Sequence, residues 1–347
     1  MKRVQGRFER VERGFTLVEV MIALLLTLTV MASVFGLLHR GSESFRREPE
    51  ISDMNQNTRY SVESISRDLV MAGYKTPAHS AILWSDGGLV DPDEVTVIFA
   101  DPDYPTCEPL KCAALGGGPC NTINQSSTLN IDPDTLDPYQ TYPENSYDQG
   151  MILFAIETDD CNGDGEIGIY PFELSQPPSM TTAGGSPTLK LNHNPGHQVS
   201  GINMPGGFNG EVHPDCAVIG YFKVIQYRVS PLPPDPNPTL ERRDLSAGEP
   251  WIPVARNIEN LQLQYALGNS TNFVDVPGVP NLADPATWIT QVKLSLVGRS
   301  ESTNLEGASE GVFDPDDTHV RKTFATTVSL RNMTLAAGVQ TGGEYYN

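Results

Sequence analysis

From residue 15 to residue 38 the chain is apolar at almost every position, and Glu19 is the one ionisable side chain in the stretch. Leu, Val, Met, Ile and Ala, which favour or tolerate helix, fill most of it, and no Pro interrupts it. About 20 such residues span the roughly 30 Å hydrocarbon core of a bilayer, so the pattern predicts a membrane-crossing helix. Past it the period changes. Ile51, Met54, Thr58, Val62, Ile65, Leu69 and Ala72 recur every three or four residues, with Arg46, Arg47, Glu48, Glu63, Arg67 and Asp68 mostly on other faces. That spacing predicts an amphipathic helix laid against a domain and closed by Gly73. Gly41 and Pro49 are expected to bend or loosen it. As one element, residues 15–72 would be about 85 Å long.

Beyond Gly73 the period falls to two. Residues 94–100 and 151–157 are β-branched and apolar runs, and 216–229, 239–243, 258–267, 288–297 and 322–330 alternate or partly alternate, as half-buried strands do. The segment 101–149 is rich in Pro, Gly, Asn and Asp, and 175–215 in Pro, Gly and Asn. Residues 101–215 as a whole therefore read as a large, mostly irregular insertion. The fold class is α+β: a long N-terminal α-helix packed on an antiparallel β-sheet domain. The divisions are 1–14 as a leader, 15–40 as the membrane helix, 41–74 as the amphipathic helix and 75–347 as the β-rich domain.

Charge adds an orientation. Lys2, Arg3, Arg7, Arg10 and Arg13 outweigh Glu9 and Glu12 ahead of the apolar run, which predicts a cytoplasmic N-terminus and a translocated domain. The whole chain carries a net charge of -20, which argues against a nucleic-acid-binding surface and suits a solvated, exported one. In an oxidising compartment the five cysteines, Cys107, Cys112, Cys120, Cys161 and Cys216, are disulfide candidates; two bridges and one leftover thiol is the simplest outcome, with pairing unreadable from sequence. Zinc fits them poorly, since no His or second closely spaced Cys pair accompanies Cys107, Cys112 and Cys120.

An ordinary secretory signal has a shorter apolar segment followed by small residues at a cleavage site; here the Gly precedes the run. A carboxylate in a bilayer costs at least about 2.5 kcal/mol, so Glu19 implies a function and a partner. Cleavage between Gly14 and Phe15 would create an α-amino group near Glu19, and a neighbouring subunit's amine would answer its charge. Gly14-Phe15-Thr16-Leu17-Val18-Glu19 resembles the prepilin signal of type IV pilins and type II secretion pseudopilins. The resemblance implies that prepilin peptidase cuts after Gly14 and methylates Phe15, and that Glu19 guides assembly.

Two further stretches resemble the PilW-type minor pilins. One is the helix end at residues 66–74, with Arg67, Leu69, Ala72, Gly73 and Tyr74. The other is the strand series at Tyr227-Arg228, residues 240–243, 254–265 and 292–299, closing on residues 321–332. The resemblance covers 13–74 and about 220–332 and leaves 101–215 without a counterpart. It implies a minor pilin in a priming or tip complex, held in the inner membrane of a Gram-negative cell before assembly. Its partners would be other major and minor pilins. The alternatives are a J-type minor pseudopilin of a type II secretion system, a pilus-borne adhesin with its binding surface in the insertion, and a membrane-anchored enzyme.

One segment has metal-like spacing. Asp160, Asn162, Asp164 and Glu166 place oxygens at alternate positions around Gly165, like the first half of a calcium loop. Position twelve is Pro171 rather than Glu, so a ligand from elsewhere, such as Asp314, Asp316 or Asp317, would have to complete the shell. Without a cation the same residues form an acidic Asx/Gly turn. His193, His197 and His213 read as solvent-exposed loop histidines. No hydrolase, metalloprotease, P-loop or dinucleotide motif is present, so no enzymatic activity is expected.

Overall fold

The computed structural model describes residues 15–88, 91–111, 128–136, 143–159, 168–183, 185–194, 203, 208, 212–230, 238–278, 280, 284–303, 305, 308–309 and 318–333. Helix α1 runs unbroken from Leu17 to Met71, through both Gly41 and Pro49. Its C-terminal third packs against β structure that falls into two lobes.

The first lobe holds two antiparallel sheets. One has the order β1 (Ile82–Ser85), β2 (Glu94–Ala100), β10 (Phe222–Ser230), β11 (Thr239–Asp244) and β12 (Ile252–Arg256). The other runs β13 (Ile258–Leu267), β14 (Ile289–Thr303) and β15 (His319–Ser329). The chain passes between the sheets at Asn257, whose φ of 59° is a left-handed corner that Asn tolerates better than most residues. Asp93 ties them again: its N–H donates to the Leu261 carbonyl at 2.8 Å, and its carboxylate accepts from Leu263 N–H at 2.7 Å and Gly87 N–H at 2.9 Å. Burial pushes the Asp93 carboxyl up to about 6, with Asp86 adding to the rise against the pull of those two amides.

The core of this lobe joins Ile65, Leu69 and Ala72 of α1 to Val95, Val97, Ile225, Tyr227, Leu240, Leu261, Leu263, Val292, Leu294 and Leu296. Alternation explains it, since every second residue of β10, β13 and β14 is buried. Gly298 lies where α1 crosses β14; a Cβ there would meet Thr58 Oγ1 and Met54. Gly73, at φ 76°, turns the chain off the helix against Met333.

The second lobe occupies the predicted insertion and has more order than the sequence suggests. It contains a four-stranded sheet, β3 (Thr106–Cys107), β9 (Ala217–Gly220), β5 (Ile152–Glu157) and β6 (Ile169–Glu173). A three-stranded sheet runs β4 (Thr128–Ile131), β8 (Ser186–Asn192) and β7 (Gln176–Ala183). Leu129, Ile131, Leu153, Phe172, Leu189, Leu191 and Ile219 form a core of their own. The expectation of an irregular 101–215 is corrected here: Pro and Gly sit at strand ends and edges, and short apolar alternations such as Leu189 and Leu191 still find a core.

The predicted strand at 216–229 is two strands serving different lobes, β9 in the second and β10 in the first, parted at Tyr221. A third apolar cluster, with Ile98, Ala100, Phe222 and Val224 from the first lobe and Phe154 and Ile156 from the second, seals the lobes together.

Candidate functional site

The site singled out by sequence lies at the start of α1. Gly14 is outside the described residues; Phe15 is 84% exposed and Glu19 sits in the helix's first turn. Glu19 has a local role that the sequence pattern Thr-x-x-Glu announces but that the resemblance overshadows. Its backbone N–H donates to Thr16 Oγ1 at 3.2 Å, and its carboxylate accepts from the Thr16 N–H at 3.3 Å, a reciprocal capping box. The carboxylate thus stands at the positive end of the helix dipole.

From Leu17 to Leu38 the helix is long and apolar enough to cross a membrane, and none of that span is buried against the β lobes. Its hydroxyls are turned inward on the backbone. Thr27 Oγ1 donates to the Ala23 carbonyl at 2.7 Å, Thr29 Oγ1 to Leu26 at 2.8 Å and Ser33 Oγ to Thr29 at 2.9 Å. Such bonding one turn back hides polar atoms from an apolar surround.

The other half of the helix is held by polar clamps. Ser302 donates to the Glu50 carboxylate through its N–H at 2.8 Å and its hydroxyl at 2.5 Å. Further on, Asp68 Oδ2 accepts from Tyr227 Oη at 2.7 Å and from Arg242 Nε at 3.2 Å. Burial, with the Asp68 charge beside it, pushes the Tyr227 hydroxyl well up, so it remains a donor. At the helix end the Asn332 amide donates to the carbonyls of Met71 at 3.2 Å and Ala72 at 3.3 Å, within the last turn, whose carbonyls lack intrahelical partners. Tyr227, Arg242 and Asn332 all belong to the strand series quoted from the sequence, and the structure gives each a contact to α1.

The other candidates separate. Asp160, Cys161, Asn162, Asp164 and Glu166 lie outside the described residues, as do Asp314, Asp316, Asp317 and His197. The calcium-like segment connects β5 to β6, an antiparallel pair whose base is closed by Gly168 N–H donating to Glu157 Oε2 at 2.9 Å. Among the described residues no cluster of three or more His, Cys, Asp or Glu side chains could hold a metal ion.

Of the five disulfide candidates, Cys107 is instead a free, buried thiol beside Tyr147 Oη, pushed up to about 12 by burial. Cys216 is disulfide-bonded, and Cys112 and Cys120 lie outside the described residues. His193 also corrects the reading of exposed loop histidines. It is 2% exposed, ringed by Phe172 and Phe208, and burial lowers it to about 4. Its neighbours in sequence are polar, and the aromatic partners that bury it come from elsewhere in the chain. His213 accepts from the Asp215 N–H at 3.2 Å.

No curated protein matches the chain. Among solved structures it is similar to a type IV-like pilin from Thermus thermophilus, at 10% identity and a TM-score of 0.34, over 80% of this chain and 96% of that one. Residues 10–35 match the family described as the prokaryotic N-terminal methylation motif, so Gly14, Phe15 and Glu19 sit within a prepilin-type methylation segment at the head of an α+β chain.

Proposed function

We propose that this protein is a minor pilin of the PilW type, cut after Gly14, methylated on Phe15 and assembled into a type IV pilus. The observation that carries the proposal is the apolar span Leu17–Leu38, which leaves the β lobes bare on every side and begins at the methylation motif. A surface of that kind suits lipid before assembly and other apolar helices after it. In the inner membrane the N-terminus is cytoplasmic and the β lobes are translocated. In the filament the same helix packs among those of other pilins, with Glu19 answering a neighbour's N-terminal amine.

The second lobe gives the chain a bulk that a repeating shaft subunit would not need, which supports a place in a priming or tip complex. No catalytic role is assigned. The test is intact-mass and N-terminal peptide analysis of protein from sheared surface filaments. N-methyl-Phe15 at the mature terminus in that fraction is the expected result. An uncut Met1 form confined to the membrane overturns the proposal. A processed form absent from filaments, whose deletion stops protein export, assigns the chain to a type II secretion pseudopilus instead.

A further inference from the structure

A sheet edge is a row of unpaired backbone donors and acceptors, and folded chains guard such rows with short strands, Pro, bulges or covering segments. Nearly every edge here carries such a guard. Strand β1 is four residues long, and β12 contains Pro253 and a register irregularity against β11. The outer side of β13 is sealed by Asp93 at Leu261 and Leu263 and by Val274, which exchanges both backbone bonds with Tyr265. In the second lobe β3 has two residues, β4 meets Pro109, β6 contains Pro171, and β7 contains Pro177 and Pro178.

Strand β15 is the exception. It is eleven residues long and pairs with β14 on one side. On the other, Ser309 N–H donates to the His319 carbonyl at 2.9 Å and the Ser309 carbonyl accepts from Arg321 Nη1 at 2.7 Å. Past that point, along residues 322–329, no strand pairs it among the described residues. Leu330 N–H donates to the Thr290 carbonyl at 2.8 Å, in register with Ser329↔Gln291. Even-numbered residues of β15 therefore bond β14, and odd-numbered ones turn their N–H and C=O outward. Those residues are Thr323, Ala325, Thr327 and Ser329, all small, uncharged and exposed. From 323 to 329 there is no charge and no Pro.

We infer that the outer edge of β15 is a docking site for an extended segment of another subunit, added as a further strand. Charge selects the partner. Arg321 is neutralised within the chain by Glu259, to which its Nε and Nη2 donate at 2.6 and 2.9 Å, so the uncharged centre is flanked by Lys322 at one end and Arg331 at the other, in a chain of net charge -20. A two-fold antiparallel pairing of β15 with a second copy would bring Lys322 against the Arg331 end, like charges opposed or one pair apart. The segment that fits is a heterologous strand, β-branched and uncharged at its centre, with acidic residues at its ends. Main-chain bonds hold it and the flanking charges set its register. The inference goes beyond the helix-based assembly proposed above and does not depend on it.

The test uses the full chain in detergent micelles and a labelled synthetic peptide with a Thr-Val-Thr-Val-Thr centre and Asp-Glu at each end. Saturable binding is expected, with hydrogen exchange slowed in the fragment spanning 321–330 and unchanged in 258–267. Ala325→Pro removes an outward N–H without touching a bond to β14, so it spares the sheet and blocks the added strand. It should weaken binding by about tenfold or more, while Ala325→Ser stays within about twofold. If Ala325→Pro perturbs folding, Ala325→Lys makes the same test through an edge charge. Absence of saturable binding, or binding that neither variant weakens, overturns the inference. So does a dimer of the chain that Ala325→Pro dissolves, since the edge would then belong to a second copy.

Discussion

The two halves of α1 are continuous in backbone and opposite in surroundings. Between Leu17 and Leu38 the helix touches nothing of the β lobes, and its hydroxyls bond its own carbonyls. From Glu50 to Met71 it presents Ile65 and Leu69 to a core and carboxylates to Ser302, Tyr227 and Arg242. One half is built to be surrounded by apolar matter from outside the chain, the other to be anchored by the chain's own residues. The difference teaches that hydrophobicity alone does not place a helix. What decides is whether its polar groups find partners within the helix or across a domain.

The largest effect should come from breaking the first half at Glu19. Glu19→Ala removes both the cap and the charge, and is expected to abolish co-assembly while leaving membrane insertion intact. Glu19→Gln keeps a capping acceptor and removes only the charge. If the carboxylate serves a neighbour's amine, both variants vanish from sheared filaments; if capping is the whole of its role, the Gln variant assembles normally.

Breaking the second half is a matter of stability. Leu69 is fully buried, and Leu69→Ala should lower unfolding free energy by about 2–5 kcal/mol, read from denaturant midpoints. The contrast requires Leu25→Ala, in the exposed span, to leave the same midpoint unmoved.

A gentler separation comes from pH. His79 and His193 are buried and held near 4, below the ordinary value of 6.5. Because their folded-state values are depressed, the unfolded chain binds more protons between those limits, so stability is complete above about 6.5 and falls as pH drops toward 4. At one pH unit per about 1.4 kcal/mol, each site can contribute on the order of 3 kcal/mol. Asp93, raised to about 6, runs the other way: its share is present below about 4 and lost as pH rises through 6. The two histidines outweigh it. Melting at pH 4.5 should therefore disrupt the β lobes first, with the apolar helix retained by far-UV circular dichroism. Replacing both histidines with Gln should flatten the pH profile. A profile unchanged by that double substitution would remove the histidines from the account.

Much of the first lobe was legible because its strands are half-buried. Residues 258–267 partly alternate, and β13 has those bounds. The helix was legible from its two periods, and Gly14, Phe15 and Glu19 from a short motif. The clamps were not: nothing in the spacing of Asp68, Tyr227 and Arg242 says that they converge, because their meeting depends on how α1 crosses the sheet. The second lobe was obscured by Pro and Gly, which mark turns and edges as readily as disorder. The burial of His193 is illegible for a different reason, since it is supplied by Phe172 and Phe208 rather than by neighbours in sequence. The exposed edge of β15 can be found only by comparing it with the other edges.

Strands β2 and β10 are antiparallel partners, with Ala100 opposite Phe222, and the Asp101 N–H donates to the Tyr221 carbonyl at 3.0 Å. The whole second lobe is therefore spliced into the bend of a single hairpin. The entropy of closing such a bend grows only with the logarithm of its length, so a passenger of this size barely taxes the sheet that carries it. The lobe behaves as a cargo bay. Its loops can be shortened or enlarged while the two strands keep their spacing, so long as Phe154 and Ile156 still cover Ile98, Ala100, Phe222 and Val224.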